Sequence, residues 1–128
     1  MDIERYIKIG KGGNEYIYVY YYPSYKELAF YNDVTLFPCK IGRTDKNPIS
    51  RVMQQLNSCA PEEPVIALVF ECENSRLFEK VIHQYMELHQ RHIEHDFNKE
   101  WFNTNPDEIY AVVKNVLESP DELVFKHA

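Results

Sequence analysis

Seven side chains in the middle of this sequence could do chemistry: Tyr18, Lys40, Arg43, Arg51, Gln55, Glu79 and His83. A guanidinium offers a planar fork of donors matched to phosphate or carboxylate oxygens. A carboxylate holds a hard divalent cation, and magnesium often takes only one or two of them. A phenol is a poor base near neutrality, with an unperturbed pKa of about 10, and it improves only where a nearby cation favours the phenolate. By type alone, each residue also has an ordinary structural reading. Tyr18 is one of ten tyrosines. Lys40 reads as a snorkelling edge lysine and Arg51 as a solvated helix arginine. Glu79 and His83 read as a surface pair one helical turn apart, worth a few tenths of a kcal/mol.

The elements that must carry these residues follow from periodicity. Glu15 to Tyr22 is β-branched and aromatic, which predicts a strand. Its period of two puts Ile17 and Val19 on one face and Tyr16, Tyr18, Tyr20 and Tyr22 on the other. The first face should meet helices, and the hydroxyls of the second should reach solvent or a substrate. Pro23 ends that strand, and residues 23–36 read as a long connection with a helical turn at Tyr25 to Phe30. A second strand, Leu36 to Ile41, places Phe37, Cys39 and Ile41 on one face and Lys40 on the other, and Gly42 terminates it.

Asn47-Pro48 opens a helix, with Asn as cap and Pro first. Ile49, Val52, Met53 and Leu56 form its apolar face, and Arg51 and Gln55 flank it. Val65 to Phe70 is apolar throughout, as in a strand covered on both sides. Asn74 or Ser75 caps the next helix, which buries Phe78, Val81, Ile82 and Tyr85 and runs to about His89. Glu100-Trp101-Phe102 reads as an aromatic island closing the core, with Asn103 as a further candidate for the site. Asn105-Pro106-Asp107-Glu108 caps a last helix whose apolar face is Ile109, Val112, Val113, Val116 and Leu117. Residues 1–14 read as a polar arm, 15–118 as one domain and 119–128 as a tail in which Leu123 to Phe125 could dock as a strand.

Composition bounds the function. A chain of 128 residues, 45% apolar and with a mean hydropathy of −0.49, describes one globular domain. It has neither a membrane-length apolar run nor a signal-peptide pattern, so a cytoplasmic protein with no membrane partner is expected. Cys39, Cys59 and Cys72 suggest no disulfide framework, and the spacing of His89, His92 and His95 matches no zinc pair. A chain that held a long duplex by phosphate contacts alone would usually be basic, whereas this one carries a net charge of −6, from 14 Lys and Arg against 20 Asp and Glu. If nucleic acid is bound, the cations are concentrated locally or a protein partner supplies affinity.

Five matches in order carry a family resemblance: Tyr16-Ile17-Tyr18; Lys40-Ile41-Gly42-Arg43-Thr44; Pro48 with Arg51; Glu79 with His83; and Glu100-Trp101-Phe102. The chain resembles the GIY-YIG nuclease superfamily, in the bacterial and phage branch whose second motif reads Lys-Ile-Gly. The first-motif Gly is Tyr16 here, and the second-motif Tyr is Lys40, which removes a proton-transfer hydroxyl.

The resemblance implies an α+β fold with a small, mainly antiparallel three-stranded sheet flanked by helices. It implies a metal-dependent endonuclease that hydrolyses DNA phosphodiester bonds with Mg2+ or Mn2+. Tyr18 would be the general base, Lys40 a cation tuning it or touching phosphate, Arg51 the phosphate clamp and Glu79 the metal ligand. Arg43 would be a second phosphate contact, Gln55 would hold water or phosphate, and His83 would orient Glu79 or bind phosphate. Tyr18, Lys40, Arg51 and Glu79 should then converge in one cleft, with Glu79 on the same face as Tyr18. The alternative is a catalytically weak module of this type that binds DNA or protein.

Overall fold

The structure is a computed structural model and describes residues 1–56, 62–93 and 100–118. The strands are β1 (Ile3–Lys8), β2 (Glu15–Tyr21), β3 (Phe37–Thr44), β4 (Val65–Cys72) and β5 (Trp101–Thr104). The helices are α1 (Pro23–Tyr31), α2 (Pro48–Gln55), α3 (Ser75–Leu88) and α4 (Pro106–Glu118). The sheet order is β1-β4-β2-β3-β5, in which β1 runs parallel to β4 and the other pairs are antiparallel. The α+β class therefore holds, but the sheet has five strands and is mixed, where three mainly antiparallel strands were expected.

Both extra strands lie at edges. β1 replaces the expected arm. Four of its six residues are exposed, so it left no burial pattern to read, and it joins the sheet through main-chain pairing from Ile3 opposite Ile66 to Lys8 opposite Glu71. A turn with Gly12 at φ +79° follows, and a side chain there would collide with the Glu71 carboxylate. β5 is the aromatic island. Its alternation sends Phe102 into one core while Trp101 joins the rim of the other.

The central strands separate the interior into two layers. On one face, Ile17, Val19, Cys39, Ile41 and Phe70 meet Ala29 of α1, Ile82 and Met86 of α3, and Ile109 and Val113 of α4. On the other, Tyr18, Tyr20, Ile66 and Val69 meet Val52 of α2. The two-face split of β2 follows its period of two, and burying side chains of this size contributes roughly 1.5–3 kcal/mol each. The tyrosine face is covered, however: Tyr18 is 1% and Tyr20 3% exposed.

Helix starts follow local chemistry. Asn47 accepts from the Ser50 N–H, Asn74 from the Leu77 N–H, and Asn105 from the Glu108 N–H. α1 is a full helix where a single turn was expected. Pro23 stands at its start, pre-set for helical φ, but only Ala29 of α1 is buried, so its sequence shows no clear apolar stripe. Met53 is exposed rather than part of the α2 apolar face. β3 continues through Gly42 to Thr44 rather than ending at the glycine. Cys59, His95, the Leu117 side chain and the tail from 119, with its expected Leu123 to Phe125 strand, lie outside the described residues.

Candidate active site

Tyr18 sits opposite Gly42 in the β2–β3 ladder. A Cβ added at Gly42 would land on the Tyr18 ring and hydroxyl, so only glycine leaves room for the phenol over the strand. Gln55, one turn after Arg51 on α2, then fixes two hydroxyls at once. Its Nε2 donates to the Tyr18 oxygen at 2.5 Å, and its Oε1 accepts from the Tyr20 hydroxyl at 3.1 Å. Gln55 was expected to hold water or phosphate, and here it positions the tyrosine. The guanidinium of Arg51, on the exposed side of α2, also acts on the Tyr18 oxygen as a positive charge and a donor.

Burial nevertheless dominates, and it pushes the Tyr18 hydroxyl above its ordinary value. Gln55 and Arg51 pull the other way, and the Glu100 carboxylate adds to the rise. Tyr18 thus stays protonated near neutrality in this arrangement, which opposes the base role unless further positive charge enters.

Lys40 does not serve Tyr18 as expected. Its ladder partner is Tyr20, and its ammonium is spent on Glu100, with Nζ 2.7 Å from Oε2. The charges influencing Tyr18 most are Glu100 and Arg51. A lysine only 8% exposed, on a strand between Cys39 and Ile41, needs a carboxylate. That requirement is the signal that points to Glu100, which by sequence alone reads as part of a structural island.

Glu79 comes from α3, whose core residues Ile82 and Met86 lie on the face opposite Tyr18. The helix that carries Glu79 thus packs on the other side of the sheet from the Tyr18 cluster. One turn further along α3, His83 donates from Nε2 to the Ile41 carbonyl at 3.1 Å and leans on Phe102, which ties the helix to β3. β5 pairs with β3 only from Phe37 to Lys40, and the Ile41 N–H bonds the Glu100 carbonyl, so the Gly42–Thr44 stretch extends beyond β5. Glu100 sits at this corner, within electrostatic reach of both Tyr18 and Glu79. It joins the halves of the site.

Glu79 is half-buried, and burial lifts its carboxyl above the usual range. His83 opposes the rise, Glu100 adds to it, and Arg43 and Arg76 oppose it more weakly. Arg43 is largely engaged elsewhere: its Nε donates to Ser75 Oγ at 2.9 Å, and Ser75 in turn donates to Glu15 at 2.6 Å. Asn103 lies opposite Pro38, well along β3 from Gly42.

A hard divalent cation suits this donor set. Glu79 is a carboxylate whose ionised form is disfavoured by burial and by Glu100 and favoured by His83, Arg43 and Arg76. Among the described residues no group of three or more His, Cys, Asp or Glu gathers, so such an ion would complete its shell with water and phosphate oxygens, as magnesium commonly does. No helix among the described residues is long and apolar enough to cross a membrane.

Neither a curated protein nor a solved structure matches the chain at a significant level. The T5orf172 domain family matches residues 15–117, from the start of β2 to the last turn of α4, and so spans every residue of the site just described. The chain belongs to the T5orf172 domain family, a domain found in nuclease-like proteins of phages and bacteria and associated with nuclease-like or DNA-binding function.

Proposed function

We propose that this protein is a metal-dependent DNA endonuclease of the GIY-YIG type, with its site wrapped around β3 beyond the end of β5. The observation that carries this reading is the joining of Tyr18, Arg51 and Gln55 to Glu79 through Glu100, in a chain of a nuclease-like family. Arg51, exposed on α2, binds the scissile phosphate and stabilises the charge that develops on it. The Tyr18 oxygen, once its own proton has passed to solvent, takes a proton from the attacking water, and the leaving oxygen of the broken P–O bond is protonated from solvent. Gln55 keeps the Tyr18 oxygen in place throughout, and Gly42 keeps the strand clear of it. Glu79 holds Mg2+ or Mn2+. When bound, the ion supplies positive charge that stabilises the phosphate and favours deprotonation of water and of Tyr18. Lys40 pairs with Glu100 and so lessens its repulsion of the phosphate.

The test is plasmid nicking with and without magnesium, using the wild type and Glu79→Gln. Magnesium-dependent nicking that disappears in the variant supports the assignment. Equal cutting by both removes Glu79 as ligand. A second reading, a binding module that does not cut, draws on the 1% exposure of Tyr18. It expects no nicking in either protein, together with DNA affinity that falls as salt rises.

A further inference from the structure

The phenol of Tyr18 is one end of a continuous row of rings. Tyr18 stacks on Tyr20 with centroids 6.2 Å apart, and Tyr20 meets the edge of Trp101 at 5.6 Å. Trp101 lies parallel to Tyr22 at 6.1 Å, and Tyr25 of α1 closes the group edge-on to both, at 5.7 Å from Tyr22 and 6.4 Å from Trp101. Burial falls along the row. Tyr18 and Tyr20 are buried, Tyr22 and Trp101 are half-buried, and Tyr25 is 39% exposed. The row therefore leads from the candidate site out to the surface at Tyr25.

Charge narrows what those rings can take. The chain has 14 Lys and Arg against 20 Asp and Glu, and two cations near the site are already held, Lys40 by Glu100 and Arg43 by Ser75 and Glu15. The carboxylate of Glu62 lies within electrostatic reach of Tyr22, which disfavours a phosphate there but not a base. Stacking of bases on aromatic rings needs no cation and tolerates any sequence, because every base has a π-face.

We infer that Tyr22, Tyr25 and Trp101 form a stacking platform for unpaired nucleobases, and that the substrate class is DNA with a single-stranded stretch beside the cut. The link to cutting rests on reading the Tyr18 site as a phosphodiester site; the platform itself is a binding surface. The bases of the unpaired strand lie on the rings at the outer end of the row, and the phosphate next to them reaches Arg51 and Tyr18. Uninterrupted duplex, whose bases are already stacked on one another, gains nothing from this surface.

Trp101 is the chain's only tryptophan, so its fluorescence reports on the platform alone. The full chain, kept free of divalent metal, is titrated with a short mixed-sequence DNA strand, an abasic strand of equal length and charge, and the blunt duplex. The base-bearing strand should quench Trp101 and bind roughly tenfold or more tightly than either control. Tyr25→Leu should weaken that binding by roughly five- to a hundredfold at unchanged thermal stability, while Tyr25→Phe retains it. Equal binding of the abasic strand, or equal affinities of the Leu and Phe variants, would overturn the inference. Plasmid nicking with magnesium, run in parallel, keeps the two readings apart. Nicking without base-dependent quenching sinks the platform alone, and quenching without nicking leaves the platform standing while the nuclease reading fails.

Discussion

Glu79 and Glu108 are both half-buried helix carboxylates, and their surroundings set them apart. Glu108 loses hydration, but it gains the Arg91 fork at 3.1 and 2.9 Å and the Thr104 hydroxyl at 2.5 Å, and these outweigh burial and hold it below the usual carboxylate range. Glu79 loses hydration beside a second carboxylate, and its carboxyl is held above that range. One carboxylate clasps β5 and α4 to the segment after α3. The other stays raised by burial and by Glu100 although His83, Arg43 and Arg76 oppose the rise. A carboxylate held below its usual range by an Arg and a hydroxyl clasps structure, whereas a half-buried carboxylate whose pKa is raised is a candidate for binding a cation.

The largest effect that tests this contrast is on cleavage. Glu79→Gln should lower magnesium-dependent nicking by at least about a hundredfold, because a metal's charge contributes several kcal/mol to the transition state. Its urea midpoint should be unchanged or slightly higher, since a strained charge is gone. Glu108→Gln should do the opposite. Losing charge-assisted hydrogen bonds should cost about 1.5–3 kcal/mol of stability, with nicking retained well below the melting temperature. Urea unfolding and nicking measured on both variants check the pair, and a destabilised Glu79→Gln would erase the distinction.

A smaller effect concerns the charge between the halves. Burial keeps Tyr18 protonated near neutrality, so nicking should climb as pH rises beyond 7. Lys40→Met removes the Lys40–Glu100 ion pair beside Tyr18 and should move the pH–rate profile upward, by up to about one unit. Lys40→Met combined with Glu100→Gln should return it. If the double variant stays shifted, Lys40 acts on the substrate directly and not through Glu100.

The smallest effect is on stability against pH. Glu108 has a lowered folded value, so its contribution is present above about 4.5 and is lost as pH falls through that lowered value. Glu79 has a raised folded value, so stability is greatest below about 4.5 and declines as pH rises through the raised value. Thermal melts across the acid range should show the Glu79 decline disappear in Glu79→Gln and the acid loss diminish in Glu108→Gln.

Local chemistry made much of this molecule legible. Asn47-Pro48, Asn74 and Asn105-Pro106 announce helix starts within four residues, and the alternation of β2 sorts its two faces without reference to the rest of the chain. Features that depend on distant partners stayed hidden. β1 joins the sheet by backbone pairing to β4, with only Ile3 and Ile7 of its side chains packed against the cores. Glu100 gains its meaning from Lys40, sixty positions earlier in sequence, and Gln55 from two tyrosines on another strand. The α3 layer could not be read either, because a helix's apolar stripe says that it is buried but not on which side of the sheet.

β1 sets the order in which the fold can assemble. Its partner β4 arrives only after β2, α1, β3 and α2, so its docking closes a long loop with little apolar burial in return. It should be the last strand laid down and the first to peel away. When it leaves, β4, apolar along most of its length, presents a row of free N–H and C=O groups, and β1 from a second copy fits that vacancy as well as its own. A shortened protein that begins at residue 15 would keep every side chain of the proposed chemistry, yet it would carry that unguarded edge into solution, and self-association would be the first property to change.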